Sequence, residues 1–368
     1  MKSEPPEDFR PAVGTPASPA FGEKQGEKVE LHIGTWKDGR WSYLYGEDTA
    51  YRAGMPDIEA IQRAAREART GDMPDVVQGP VINAPVWTWE VPLYFWFGGI
   101  AAGSSFVALA CDLAGDEDSA RVARKVALAA LMPSPPLLVM DLGRPARFYN
   151  MLRVFKPRSP MSMGAWALSA FGGLAAAAVG ADLLGRRREA KLLGGANAIV
   201  GGYLGSYTGV LLASTAVPVW GRSRLFLGPI FVSTATATGA AATRLALVAT
   251  GLPVGHPTRR ALGTVETGAM AAELLLSIVN ERRLGPLAGG LEAGWPGKLF
   301  KAAKWAVRGG LALRFARKRG GPGVHHLASV MYLAAGLLFR YAWVGAGRLS
   351  ARDDRAVAQM HRTTEHGT

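Results

Sequence analysis

Glu266, Glu273 and Asn280 recur at intervals of seven within a single apolar run. Two turns of α-helix bring a side chain back to the same face, so these three would line one stripe about 20 Å long. Carboxylates at membrane depth must be paired, hydrated or protonated. The stripe therefore reads as part of a proton relay, or as groups bonded to Ser, Thr or Arg on neighbouring helices. A second set of residues is more scattered. Asp141 closes another apolar run. It either pairs with Arg144 or Arg147 or serves as a carboxylate beside a quinone headgroup, whose ring gains or loses protons with its electrons. Tyr207 and Thr208 set two hydroxyl donors inside a third run, suited to a quinone carbonyl or to hydrogen bonds between helices.

Histidine and cysteine narrow the chemistry. The six histidines are His32, His256, His325, His326, His361 and His366, and none falls in the middle of an apolar run. Bis-histidine haem in a helical bundle needs ligands at depth on facing helices, so a b-type cytochrome is disfavoured. His325 and His326 are adjacent and project about 100° apart on a helix, a poor metal pair. Cys111 is the only cysteine, which removes a disulfide framework and a thiolate-held iron–sulfur cluster. There is also no Walker A loop, no Gly-x-Ser-x-Gly elbow and no zinc signature. Such a chain holds no haem and no cluster, and stores no electron by itself.

The elements that must position these residues follow from hydropathy. The 368 residues carry a formal charge of +13 and 49% hydrophobic residues, with a mean hydropathy of +0.10. Residues 1–85 are polar, whereas 86–350 alternate apolar stretches with short basic connectors and 351–368 form a polar tail. Helices are expected over 91–113, 123–140, 161–184, 192–220, 225–252, 262–280 and 327–349, each able to cross ~30 Å of hydrocarbon. The charged stretch 298–316, with Lys301, Lys304 and Arg308 one turn apart, reads as a further degenerate or interfacial helix. The expected fold is thus all-α, a polytopic transmembrane bundle of about eight helices with a polar N-terminal extension. Within that extension, Asp38-Gly39 marks a hairpin turn in 31–51, and 57–70 form an amphipathic helix capped by Asp57. Met1–Ala20 lacks the apolar core of a secretory signal, so the first spanning helix is expected to direct insertion.

Much of the basic excess lies between apolar runs, where it sets topology or meets anionic lipid rather than nucleic acid. The totals at the two ends are too even to fix orientation. Gly201, Gly205 and Gly209 lie four apart and allow close approach of another helix. The connector 141–162, "DLGRPARFYNMLRVFKPRSPMS", is richer than topology requires. Arg144, Arg147, Arg153, Lys156 and Arg158 suit an acidic partner surface or lipid phosphates, and Asp141, Tyr149 and Asn150 suit the membrane edge beside a quinone. Its prolines would hold it in one shape.

Four segments resemble the NrfD/polysulfide reductase membrane-subunit family. They are "PVWTWEVPLYFWFGGIAAGSSF", "DLGRPARFYNMLRVFKPRSPMSMGAWALSAFG", "YTGVLLASTAVPVW" and "RYAWVGAGRLSARD", within roughly 80–355. The resemblance implies an eight-helix, haem-free anchor in a bacterial plasma membrane. It would exchange electrons between quinone or quinol, menaquinone in particular, and a ferredoxin-like iron–sulfur subunit that serves a molybdopterin-type catalytic subunit. On the family pattern, Asp141, Arg144 and Pro145 match the Asp-Leu-Gly-Arg-Pro motif. Asn150, Met151 and Leu152 match the segment that follows, and Ser159, Pro160, Met161 and Ser162 begin the next helix. Tyr207 falls at a position associated with quinone binding. Two further readings stand beside this one, a proton or ion transporter using the 262–280 carboxylates and a purely structural anchor.

Overall fold

The computed structural model describes residues 82–142, 144–315, 322–353 and 357. The hairpin expected over 31–51 and the helix over 57–70 lie outside them. Helices form wherever an apolar run meets a stop signal, and they alternate in direction. Among the described residues, six spans are long and apolar enough to cross a membrane: Glu90–Leu113, Glu117–Met140, Pro160–Leu183, Arg224–Ala249, Pro257–Leu284 and Gly323–Ala351. The protein is a multi-pass membrane protein, and its described elements are all helical.

In order, the helices are α1 (Glu90–Leu113), α2 (Glu117–Leu131), α3 (Ser134–Met140), the short α4 (Asn150–Arg153), α5 (Pro160–Leu183) and α6 (Arg187–Ala213). They continue with α7 (Pro218–Arg222), α8 (Arg224–Ala249), α9 (Pro257–Leu284), the single-turn α10 (Gly289–Glu292), α11 (Gly294–Phe315) and α12 (Pro322–Ala351). Helices α2 and α3 share one span, broken at Met132 and Pro133, where proline lacks the N–H that would continue the ladder. The run expected over 192–220 also divides, with Ser214–Val217 separating α6 from α7.

The antiparallel order defines two ends. The 141–159 connector, the start of α8 and the end of α9 lie at the end called proximal here. At the distal end the α1–α2 turn is tied to α9, because Asp116 caps α2 by accepting from the Ser119 N–H at 3.1 Å and also accepts from the Thr258 hydroxyl. Burial pushes the Asp116 carboxyl up, but these hydrogen bonds outweigh it and hold the group below its ordinary value.

Two long helices fall outside the apolar set. Helix α6 begins with Arg187, Arg188, Glu189 and Lys191, and α11 carries Lys298, Lys301, Lys304 and Arg308. Helix α11 nevertheless packs lengthwise on α12. Gly310 lies under the Tyr332 ring, and Phe300 meets Phe339 and Trp343 edge-on at 5.5 and 6.2 Å. Its basic edge is answered locally, since Lys304 reaches Glu281 of α9 at 2.6 Å and sits 5.1 Å from the Phe300 ring centre. The expected helix over 298–316 is thus, as far as Phe315, an integral rod of the bundle.

Small residues let the central helices touch. Helices α1 and α8 cross backbone to backbone, where a Cβ on Gly103 would strike the Ala235 carbonyl and one on Gly239 would strike the Gly103 backbone. The glycine repeat of α6 behaves as its spacing predicts. Gly201 faces Ser105 and Phe171, Gly205 faces Ala102 and Ala235, and Gly209 abuts the α8 backbone at Leu227 and Gly228. Aromatic packing fills the proximal half of the core, with the buried Trp220 indole donating to the Trp343 carbonyl at 2.8 Å. At the distal end Arg124 of α2 grips Asp182 of α5 with two bonds, at 2.6 and 2.9 Å, and Asp112 of α1 with a third at 2.6 Å. All three side chains are nearly fully buried, a geometry that charge-assisted pairs need at depth.

Candidate functional site

Tyr207 and Thr208 occupy the proximal half of α6, both buried. Helix α5 makes room for the tyrosine at Gly164, where an added Cβ would lie inside the Tyr207 ring. The ring also leans against Tyr203, with centroids 6.0 Å apart. Trp87 enters from the segment before α1 and stacks on Trp220 at 5.2 Å with 20° between planes. Its carbonyl accepts from Arg348 of α12 at 3.0 Å, and the Trp89 carbonyl accepts from the Tyr341 hydroxyl at 3.0 Å. The aromatic lead into α1 is thereby pinned to the last helix.

Between these elements lies a cleft of about 710 Å³, counting the space at its open mouth. Its walls are apolar and aromatic, with Phe95, Leu168, Leu204 and Met161 among them, and its polar groups are Asp141, Tyr94, Tyr207 and Thr208. Residues from α1, α3, α5 and α6 meet here, although they are separated by more than a hundred positions in the chain. A few convergent polar groups on apolar walls is the usual make-up of a small-molecule site.

Asp141 terminates α3, with its N–H bonded to the Leu137 carbonyl at 3.1 Å. Burial, reinforced by the charge of Glu90, raises this carboxyl to about 6. A carboxylate so placed changes protonation near neutral pH.

The connector beyond it is an exposed platform. Arg144, Arg147, Arg153, Lys156 and Arg158 all lie on the surface. Ser162 anchors the loop by accepting from the Lys156 N–H at 3.0 Å and donating to the Val154 carbonyl at 3.2 Å. Phe155 meets Trp166 edge-on at 5.8 Å. Tyr149 is 53% exposed and Asn150 opens α4 on the surface. Neither lines the cleft, whereas Leu142 and Met151 from the same connector do.

The seven-residue stripe of α9 is buried throughout, with Glu266, Glu273 and Asn280 at 0%, 0% and 1% exposure. It faces neighbouring helices away from the cleft. Glu266 is bonded to Arg314 of α11, accepts from the Ser329 hydroxyl at 3.1 Å, and lies 3.7 Å from the Arg244 guanidinium. Glu273 accepts from Ser277 at 2.7 Å and has Arg340 of α12 as counter-charge. Arg340 is fully enclosed and lies 4.2 Å over the Phe231 ring. Asn280 donates to Ser223 at 3.0 Å.

Several functional groups escape the sequence reading. In the sequence Trp87, Trp89, Tyr94 and Trp96 form an aromatic cluster of the kind that suits a membrane–water boundary, yet Trp87 and Tyr94 line the cleft. Arg244 and Arg340 were hidden in apolar runs, where a lone arginine is itself the signal that could have revealed them.

The comparison with known families matches residues 80–280, more than half of the chain, to the family described as "Polysulphide reductase, NrfD". No curated protein is significantly similar to it. The matched region holds α1 to α9 almost entire, and with them the cleft and the basic connector. The chain therefore belongs to the NrfD family of membrane subunits of quinone-linked oxidoreductase complexes.

Proposed function

We propose that this subunit exchanges electrons between the quinone pool and an iron–sulfur partner, and that the proximal cleft is its quinone site. The observation that carries this reading is the meeting of the Asp141 carboxyl and the Tyr207 and Thr208 hydroxyls in one apolar, aromatic-walled cleft. Quinol oxidation releases two protons and two electrons. Asp141, whose carboxyl is raised to about 6, accepts one proton from a ring hydroxyl, passes it to water at the open mouth and then accepts the second, while Tyr207 and Thr208 hydrogen-bond ring oxygen. Tyr149 and Asn150, which do not line the cleft, take no part in this reading. The electrons leave to a ferredoxin-like subunit that serves a molybdopterin-type catalytic subunit, docked on Arg144, Arg147, Arg153, Lys156 and Arg158. Menaquinone in a bacterial plasma membrane is the substrate this reading takes from the family.

Tyr207→Phe keeps the ring against Gly164 and removes only the hydroxyl. Quinol turnover by the assembled complex is expected to fall about 10-fold, the worth of one hydrogen bond at the reacting ring. Unchanged turnover in a fully assembled complex would remove Tyr207 from the site.

A second role is favoured by α9. The Glu273 Oε2 and Asn280 Oδ1 atoms are buried without a hydrogen-bond partner among the described residues, the kind of vacancy a water-linked proton path fills. On this reading Glu266, Glu273 and Asn280 carry protons alongside electron transfer. Glu273→Gln is then expected to slow proton-coupled turnover severalfold while assembly is retained. Normal coupling in vesicles would leave Glu273 a structural partner of Arg340.

A further inference from the structure

The distal end holds a second, larger cavity that none of the foregoing uses. It encloses about 1910 Å³ with its open mouth and lies where the end of α8, the start of α9, the end of α11 and the start of α12 converge. Arg244, Arg259, Arg260 and Arg314 all line it. Among the described residues, Glu266 is the carboxylate that pairs with this group, so four guanidinium charges face one carboxylate. Asp116 is engaged by Thr258 and lies outside the lining. His325 and His326 face the same arginines from α12.

Arginines so closely grouped repel one another, and three of them, Arg244, Arg259 and Arg314, keep a buried Nε without a hydrogen-bond partner among the described residues. Arg259 is 5% exposed and gives one N–H to the Leu252 carbonyl at 2.6 Å. Unmatched buried donors beside uncompensated positive charge call for an anion with several acceptor oxygens.

The shape of the cavity indicates what carries that anion. Helix α9 packs chiefly on α8, and α11 on α12, so a seam remains between α9 and α11. Its α9 wall consists of small residues, Gly263, Thr264, Thr267, Gly268 and Ala271, which descend about 12 Å from the arginines toward mid-membrane. A free phosphate would need the arginines and leave the seam without purpose. A phospholipid uses both.

We propose that this cavity binds an anionic phospholipid, with its phosphate on Arg259, Arg260 and Arg314 and one acyl chain in the α9–α11 seam. The test is thermal unfolding of the full chain in mild detergent, titrated separately with dioleoylphosphatidylglycerol, dioleoylphosphatidylcholine and inorganic phosphate. Only the phosphatidylglycerol is expected to raise the unfolding temperature saturably. Arg260→Gln should shift its half-saturating concentration about fivefold upward, the worth of one arginine near a lipid phosphate. Arg259→Gln/Arg260→Gln should shift it further. Arg260 is exposed, so the single variant carries the test if the double variant does not fold. Equal stabilisation by phosphatidylcholine, full replacement by inorganic phosphate, or an unshifted midpoint in Arg260→Gln would each overturn the proposal.

Discussion

Gly239→Val is expected to leave little folded protein in the membrane. At the crossing of α1 and α8 the two backbones touch, and a side chain at position 239 would occupy the space of the Gly103 and Ser104 main chain. No flexible side chain stands there to give way. The neighbours Ala102, Ala235 and Ala240 are fully enclosed, so relief requires the two helices to part along their length. Parting them strips contacts from the most buried helices of the bundle, at a cost of about 3 kcal/mol or more. Gly205→Ala is the matched control, because its added Cβ would lie 3.5 Å from the Ala102 Cβ, an ordinary contact. Size-exclusion profiles of detergent-extracted variants decide the matter. A monodisperse Gly239→Val peak with the parent unfolding temperature would show that the two helices do not meet in this way.

The second large effect is on chemistry. Asp141→Asn is expected to reduce quinol oxidation about 100-fold or more, the loss that follows removal of a general base. The parent rate should rise with pH through about 6 as the carboxyl ionises, and the variant should lose that limb of the profile. Stability should move the other way. The folded protein holds the Asp141 carboxyl above its ordinary 3.8. The proton is bound more tightly folded than unfolded, and the stability it contributes is complete below about 4 and lost as pH rises through about 6. At pH 7 the ionised form is a burden that asparagine does not share, so the unfolding temperature should hold or increase. An unfolding temperature that falls together with activity would make Asp141 a structural residue.

Much of the bundle was legible from the chain because a lipid-spanning helix is written in an uninterrupted apolar run. The runs 161–184 and 225–252 coincide with Pro160–Leu183 and Arg224–Ala249 to within a few residues. Errors concentrate where charge lies inside a helix. The run 123–140 concealed the start at Glu117, because Glu117, Asp118 and Arg121 give the first turns a polar face while Arg124 turns inward to two aspartates. Likewise 262–280 understated Pro257–Leu284, whose ends are supplied by the His256 cap and the basic Arg282 and Arg283. At the cleft, Asp141, Tyr207 and Thr208 were each visible as polar groups beside or within apolar runs. Their meeting was not, because it depends on Gly164 yielding space to a tyrosine from another helix. Aromatic clustering places Tyr94 and Trp87 near a boundary, but not against the cleft, and the lead that carries Trp87 is held there by Arg348 and Tyr341 of α12.

The buried Arg124 cluster bears on how the chain is made. Helices α1 and α2 emerge from the ribosome before α5, and Asp112 and Arg124 lie on the same hairpin, so the pair can enter lipid with its charges already cancelled. Asp182 follows 58 residues later, an isolated carboxylate until it reaches the two guanidinium nitrogens that Asp112 leaves open. That unmet need gives the nascent α5 one address among the helices already inserted. The cluster thus ties the placing of α5 to the α1–α2 hairpin, and the cleft between α1, α3, α5 and α6 depends on that placing.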